Sequence, residues 1–280
     1  MKYLVASAIL AFACLGGLAC GGGGSSAKLH IVFEPQPAPG QGVSASDIVA
    51  ALQKRLDAYG LKGKISQDGA SIAADVSSDI DQATAVTDLT TVGLLEFCEP
   101  ITDSVGNVAA VQQGGVVQYQ PGTCEPKRDA SGNIVLDGGS IIYLPLSSDL
   151  DRNTIVWQAA KGDLNGTQTG LTSSFMTRAI VTENQITRSP ILVFEWNEDG
   201  RKLSGEITEH LAATRSPLTM FLDGAPLHGE DGKIIAPTVQ SKITSAGQIT
   251  GLSKVETERL ARLLNGGPLP VPLRVVPDAK

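Results

Sequence analysis

The sequence predicts an α+β protein, and three observations carry the prediction. Apolar residues make up 42% of the 280, so a core can form, yet aromatics are only 4%. Glycine is abundant at 31 residues, as in chains with many turns. Apolar residues alternate in some stretches and recur every three or four in others, the signatures of strands and helices. The length suits one large domain or two small ones. A net charge of -7 and a pI near 5.0, with no basic stripe, argue against a nucleic-acid partner.

The first residues are expected to lie outside the fold. Met1-Lys2 is a short positive start, and Leu4 to Leu18 is an apolar run too short and glycine-rich for a good membrane span. It ends in "GGLAC", with Ala19 directly before Cys20. This resembles a bacterial lipoprotein signal, in which the cysteine becomes the lipid-bearing first residue, although leucine sits one place closer to Cys20 than in the commonest version. Residues 1–20 are therefore expected to be a lipoprotein signal, and 21–27, with "GGGGSS", a flexible linker. The alternative is a plain secretory signal cut elsewhere. Cys14 would be removed with the signal. Cys98 and Cys124 remain, an even pair in an oxidising compartment, expected as a disulfide closing a loop of about 25 residues and worth about 3 kcal/mol; two free thiols are the alternative. No CxxC exists and His30, His210 and His228 are scattered, so no zinc site is expected.

"KLHIVFEP" alternates as a strand. "SASDIVAALQKRLDAYG" opens with a capping pair, Ser44 and Asp47, and sets Ile48, Leu52, Leu56 and Tyr59 on one face before Gly60 ends it. "KISQDGASIAADV" is a hairpin about Asp68-Gly69. Ser78 caps a second helix carrying Ile80, Ala83, Val86 and Leu89, and "LLEFCE" is a strand. The order β-α-β-β-α-β over 28–99 is that of a ferredoxin-like split unit. Residues 100–164 read as short strands between Gly, Asp, Ser and Asn clusters. Beyond them "PILVFEWN" is a strand expected to be buried on both faces. Asn197 caps a helix with Leu203, Ile207 and Leu211 inside, "PLTMFLDGAPL" runs into an Asp-Gly turn, and "GKIIAPTVQSKI" and "GQIT" continue the sheet. Ser253 and Glu256 form a capping box, with Val255, Leu260, Leu263 and Leu264 as the buried stripe and Asn265-Gly266 as the stop. "LPVPLRVV" is a strand entered through prolines, which suits a sheet edge.

From Ile191 to Val276 these strings resemble the first periplasmic domain of SecD, a membrane subunit of the bacterial protein-export machinery. "LVFEWNEDGRKLSGEIT", "LTMFLDGAPL", "IIAPTVQSKIT", "GQITG" and "LARLLNGGPLPVPLRVV" follow the family pattern in order. "KRLDAYGL", "GLLEF" and "LTSSFMTRAIV" are weaker echoes, with Ser173 in place of the family's glycine. The resemblance implies a ferredoxin-like base subdomain built from both ends of the segment and an inserted α+β head subdomain. Residues 28–99 would begin the base, 100–164 would be an irregular insertion, 165–252 the head and 253–280 the return to the base. Two departures stand out. "HGEDGK" (His228 to Lys233) lengthens the turn after Leu-Asp-Gly, and the family's bundle of membrane helices is not expected after the proline-led strand. The intramembrane charges with which SecD uses the proton gradient are thus expected to be absent.

No catalytic residue, cofactor site or metal site is expected. "DLDRNT" (Asp149 to Thr154) starts like a calcium loop but has Thr154 and Ala160 where glycine and glutamate belong. There is no G-x-S-x-G, no phosphate-binding glycine loop, and no histidine near a nucleophile. Asn165 opens an "NGT" turn. Glu195, Glu198 and Asp199 fit a solvated helix N-terminus better than paired acid/base groups. Trp157 and Trp196 fit core packing better than binding platforms. The sequence therefore points to a non-enzymatic extracytoplasmic lipoprotein, held at the cell membrane by a lipid anchor. The resemblance implies translocating or unfolded polypeptide and Sec translocase components as partners; the alternative is a structural or scaffolding envelope lipoprotein that keeps the fold without an export role.

Overall fold

The computed structural model describes residues 28–37, 40, 42–77 and 82–276. Cys20 and its signal, the linker 21–27, and Ser78 and Ile80 lie outside the described residues. Strand β1 (Lys28–Pro35), helix α1 (Ala45–Ala58), strands β2 (Lys62–Asp68) and β3 (Ser71–Ser77) and helix α2 (Gln82–Thr90) follow in the expected order. Helix α1 starts where Ser44 Oγ accepts the Asp47 N–H, pairing a donor the first turn cannot satisfy internally. It buries Ile48, Leu52 and Leu56 against Ile31, Phe33, Ile65, Ile72 and Val76. The opposite face of this sheet carries His30, whose Nδ1 lies 2.6 Å from Asp75 Oδ1, and the Arg274–Glu34 pair.

The strand order of this base sheet is β17-β1-β3-β2, where β17 is Leu273–Val276. Val276 sits opposite Val32 and Leu273 opposite Pro35. The proline-led strand thus occupies the edge, as expected, and completes the ferredoxin-like sheet. The expected closing strand of the split unit does not. Strand β4 (Leu95–Pro100) joins a second sheet, in which it pairs with Thr219–Leu222 and Trp157–Ala159. Almost all of β4 is buried, so it needs cover on both faces, which an edge position with one open face cannot supply.

The chain then builds a lobe over 101–156 from β5 (Val108–Gln112), β6 (Val116–Val117), β7 (Leu136–Asp137) and β8 (Ser140–Leu144), paired β5–β8 and β6–β7. The head follows: β9 (Trp157–Ala159), β10 (Lys161–Leu164), β11 (Thr167–Gly170), β12 (Met176–Glu183), β13 (Pro190–Trp196), α3 (Glu198–Thr214), β14 (Thr219–Leu222), β15 (Ala225–Pro226) and β16 (Ala246–Ile249). Its two larger sheets are β15-β14-β4-β9 and β12-β13-β16. Strand β13 departs from expectation. Leu192, Phe194 and Trp196 are buried, but Glu195 is exposed and Val193 half-buried, so it buries one face and leaves the other partly open.

Helix α4 (Lys254–Gly266) joins head to base. Ser253 and Glu256 form the expected reciprocal capping box. Leu260, Ala261 and Leu264 enter the head core, while another side of the helix packs on α1. Val255 is corrected: it is 74% exposed, because it lies in the first turn on the side away from both partners, and Thr257 is buried in that turn instead. Asn265 uses its side-chain amide as a strand would, donating to Ala179 O (2.7 Å) and accepting from Ala179 N–H (2.9 Å).

The lobe is fastened to the head at a seam. Cys98 of β4 and Cys124 of the lobe are joined by a disulfide, with their Cα atoms 6.5 Å apart. Tyr119 packs edge-on against Phe221 and accepts the Trp157 N–H through its hydroxyl. Glu96 is buried beside the bridge, and its carboxylate accepts the Cys124 N–H at 2.9 Å. Burial pushes the Glu96 carboxyl up, against the lowering effect of that hydrogen bond, and burial also pushes up Glu99, which His210 opposes. A carboxyl raised by folding binds more protons in the native state, so its contribution to stability falls as pH rises from the ordinary 4.5 through the raised value. Urea unfolding of Glu96→Gln is expected to lose stability less steeply than the native chain from pH 4.5 toward neutrality. Identical slopes would refute this account of Glu96.

Candidate binding groove

The motifs of the head each hold one wall of a groove. Asn197 caps α3 by accepting the Gly200 N–H (2.8 Å). A side chain at Gly200 would collide with Phe175 and press on Trp196, so glycine lets the helix approach β13 closely. The Asp223 carboxylate accepts from the N–H groups of Gly93 (3.0 Å) and Leu94 (2.9 Å), which fastens the β14 turn to the chain entering the head. Residues 237–239 lie along 216–218: Leu218 N–H donates to Pro237 O and Val239 N–H to Ser216 O. Residues 240–245 then cross α3 as an exposed strap. Ser204 Oγ donates to Ile243 O (2.8 Å), and Ile243 N–H donates to Thr208 Oγ1 (2.7 Å). Two buried helix hydroxyls thus hold the strap through its backbone.

Between strap, β14 and β16 lies a groove of about 740 Å³. Its floor is aromatic: Phe97, Phe194 and Trp196 contact one another with centroids 5.0–5.7 Å apart, in tilted and edge-on arrangements. Leu218, Met220, Ile235 and Val239 add apolar surface on one side and Ala246, Gly247 and Gln248 line the other. A pocket of this size, mostly apolar with a few hydroxyls and amides, can take an apolar segment of a ligand. Its lining carries hydroxyls and amides but no acidic or basic side chain.

The residues singled out in the sequence are dispersed. Trp157 and Trp196 are both buried; Trp196 lines the groove, whereas Trp157 sits in the disulfide cluster. Glu198 and Asp199 lie in the first turn of α3 beside Lys202, at 3.0 and 3.8 Å, and Glu195 is exposed. Within Asp149 to Thr154, a short 3₁₀ helix spans Arg152–Thr154 and is capped by Asp151. The Asn153 side chain accepts the Ile234 N–H, which joins this turn to the loop following the "HGEDGK" insertion. No cluster of metal-ligating side chains occurs among the described residues.

Three important features escaped the sequence reading. Arg55 is fully buried on the core side of α1, signalled only as a cation between Leu52 and Leu56 on an apolar stripe. Gly247 lacks a side chain because the Phe194 ring would lie 2.2 Å from its Cβ. Thr208 and Ser204, which hold the strap, appear as ordinary polar residues within a helix.

Comparison with known proteins agrees with this architecture. Residues 157–271 match the family model "SecDF, P1 head subdomain". A protein translocase subunit SecD of Dehalococcoides mccartyi (strain VS) is 36% identical over 120 residues, covering 43% of this chain and 26% of that relative; the match spans a minority of the relative's length. Two solved structures share the fold at 19% identity. A crystal structure of SecDF in its super-membrane-facing form aligns over 89% of this chain and 30% of its own, with a TM-score of 0.53. A chain from the structure of SecDF, a membrane component that enhances protein export, aligns over 90% of this chain and 100% of its own, with a TM-score of 0.54. Among the described residues no helix is long and apolar enough to cross a membrane. Residues 157–271 are thus related to the SecDF P1 head subdomain, and about nine-tenths of the chain shares the fold of the SecDF structures.

Proposed function

We propose that this chain is a membrane-tethered, SecD-like extracytoplasmic lipoprotein that assists protein export by transiently binding translocating or unfolded polypeptide. The groove in the head carries the reading: it is open, aromatic-floored and without catalytic groups. Unfolded chains expose the apolar side chains that such a surface removes from water. The similarity to a translocase subunit supports the export setting, with Sec translocase components as neighbours. Lipidation at Cys20 would hold the base at the membrane. Strand β1 opens the base sheet at Lys28, so a tether preceding it would join the base rather than the head.

The test uses the full chain in detergent and a fluorescent, permanently unfolded polypeptide. Saturable binding in the micromolar range is expected. Val193→Glu, which puts a charge in the groove at a half-buried position, is expected to weaken it at least about tenfold with an unchanged melting temperature, since a buried unpaired carboxylate opposes an apolar ligand. Absence of binding at high micromolar concentration would refute the function. Retention in membranes that is lost in Cys20→Ser checks the tether.

A further inference from the structure

We propose that the groove takes its polypeptide as an extended strand added to the free edge of β16, with the Trp196 indole N–H donating to the incoming chain. This deepens, and rests on, the polypeptide-binding reading.

Strand β16 pairs with β13 on one side, and among the described residues no strand pairs on its other side. Backbone N–H and C=O groups of alternate residues on such an edge point outward. The register sets Phe194 opposite Gly247 and Val193 opposite Gln248. Successive side chains of a strand point to opposite faces, so these two cross-strand pairs lie on different faces of the sheet. All four residues nevertheless line the groove. The cavity therefore wraps around the β16 edge rather than lying on one face. A ligand seated there meets the aromatic floor on one face, Val193 and Gln248 on the other, and main-chain hydrogen-bonding groups between. An extended polypeptide offers the matching pattern: alternate side chains to both faces, and a donor and acceptor from every second residue toward the edge.

Two features favour this occupant. Gly247 has no side chain, and the Phe194 ring fills the space one would take, which sets an aromatic surface directly beside the free edge. Trp196 is 2% exposed, lines the groove, and its Nε1–H has no hydrogen-bond partner. A buried donor of this kind is costly unless paired, and a main-chain carbonyl in the groove is the acceptor an added strand supplies. The ligand class that follows is an uncharged extended segment with apolar residues at alternate positions, read through its backbone; a preformed helix, whose main-chain groups are already paired, is excluded.

The experiment titrates the full chain with a short fluorescein-labelled peptide of alternating valine and threonine, and with two versions N-methylated at all odd or all even positions. One methylated version is expected to bind at least about tenfold more weakly than the other, because only one set of N–H groups faces β16. Equal affinities for the two versions overturn strand addition, while binding of the unmodified peptide leaves the function standing. If the unmodified peptide does not bind, the function falls with the mode. Trp196→Phe keeps an aromatic ring and removes the donor. It is expected to weaken the unmodified peptide about three- to tenfold, and unchanged affinity removes Trp196 from the proposal. Should that variant fail to fold, the methylated pair still decides the mode.

Discussion

Replacing Arg55 by methionine is expected to destabilise the protein by about 3–5 kcal/mol, as for other buried ionic groups that lose one side of their network. Arg55 has no exposed surface, and its guanidinium serves carbonyls rather than a single carboxylate. It donates to Asp88 O and Leu89 O (3.4 Å each), Thr91 O, Val92 O, and Gly267 O (3.2 Å from Nε and 3.0 Å from Nη2). The first four acceptors are the end of α2 and the residues after it, whose carbonyls lack helical partners. The fifth caps α4. One side chain therefore fastens α1, α2, the chain entering the head and the chain leaving it. Burial lowers the Arg55 pKa to about 10, opposed by Tyr59, Asp223 and Asp88, so the group is cationic at neutral pH and favours the negative ends of two helices. Methionine preserves packing but leaves these carbonyls without a donor. Arg55→Lys is expected to recover little, because one ammonium cannot span them. Urea unfolding of both variants measures the loss; a change below about 1 kcal/mol, the scale of a single hydrogen bond, would refute the clamp. The geometry also restricts Gly93, where a Cβ would sit 2.8 Å from the guanidinium and φ is +78°.

Removing the Cys98–Cys124 bridge is the second large effect. The residues are 26 apart in sequence, and loop-closure entropy for such a loop gives about 3.5 kcal/mol. The loss is expected to be uneven. The bridge ties the lobe to β4, and the other seam contacts are few: Tyr119 on Phe221 and on the Trp157 N–H, the Glu96–Cys124 hydrogen bond, the exposed Glu125–Lys161 pair, and Asn153 on Ile234. In Cys98→Ala/Cys124→Ala, amide exchange is expected to quicken over 101–156 before it changes in the base sheet, because a weakly attached lobe opens first. Chemical reduction of the native chain should reproduce the effect. A midpoint unaltered by complete reduction, confirmed by mass, would refute the contribution of the bridge.

Where local rules govern, the sequence was readable. The caps at Ser44, Asn197 and Ser253, the turn at Gly69, and the buried stripes of α1 and α3 follow from hydrogen-bond needs within a few residues. The misread elements share a different cause. Strand β4 follows α2 and so fits the base by order alone, but strand partnership depends on which surfaces need cover, and a strand buried on both faces finds that cover between head and lobe. Val255 fits the apolar period of α4, yet the helix packs on two sides and that residue faces neither. Arg55 looks like a surface cation because five carbonyls distant in sequence, which make its burial tolerable, are assembled only by the fold.

The sequence by itself determined the fold class, the helix ends, the proline-led edge strand and the likeness to a translocase domain. These depend on backbone propensity, capping and hydrophobic period, all local properties. Only the tertiary structure decided where the groove lies, that β16 stands at a sheet edge beside it, and that Arg55 joins the ends of α2 and α4. Those features come from surfaces and unpaired groups brought together from remote parts of the chain, and their energies arise from burial that no short stretch of sequence can express.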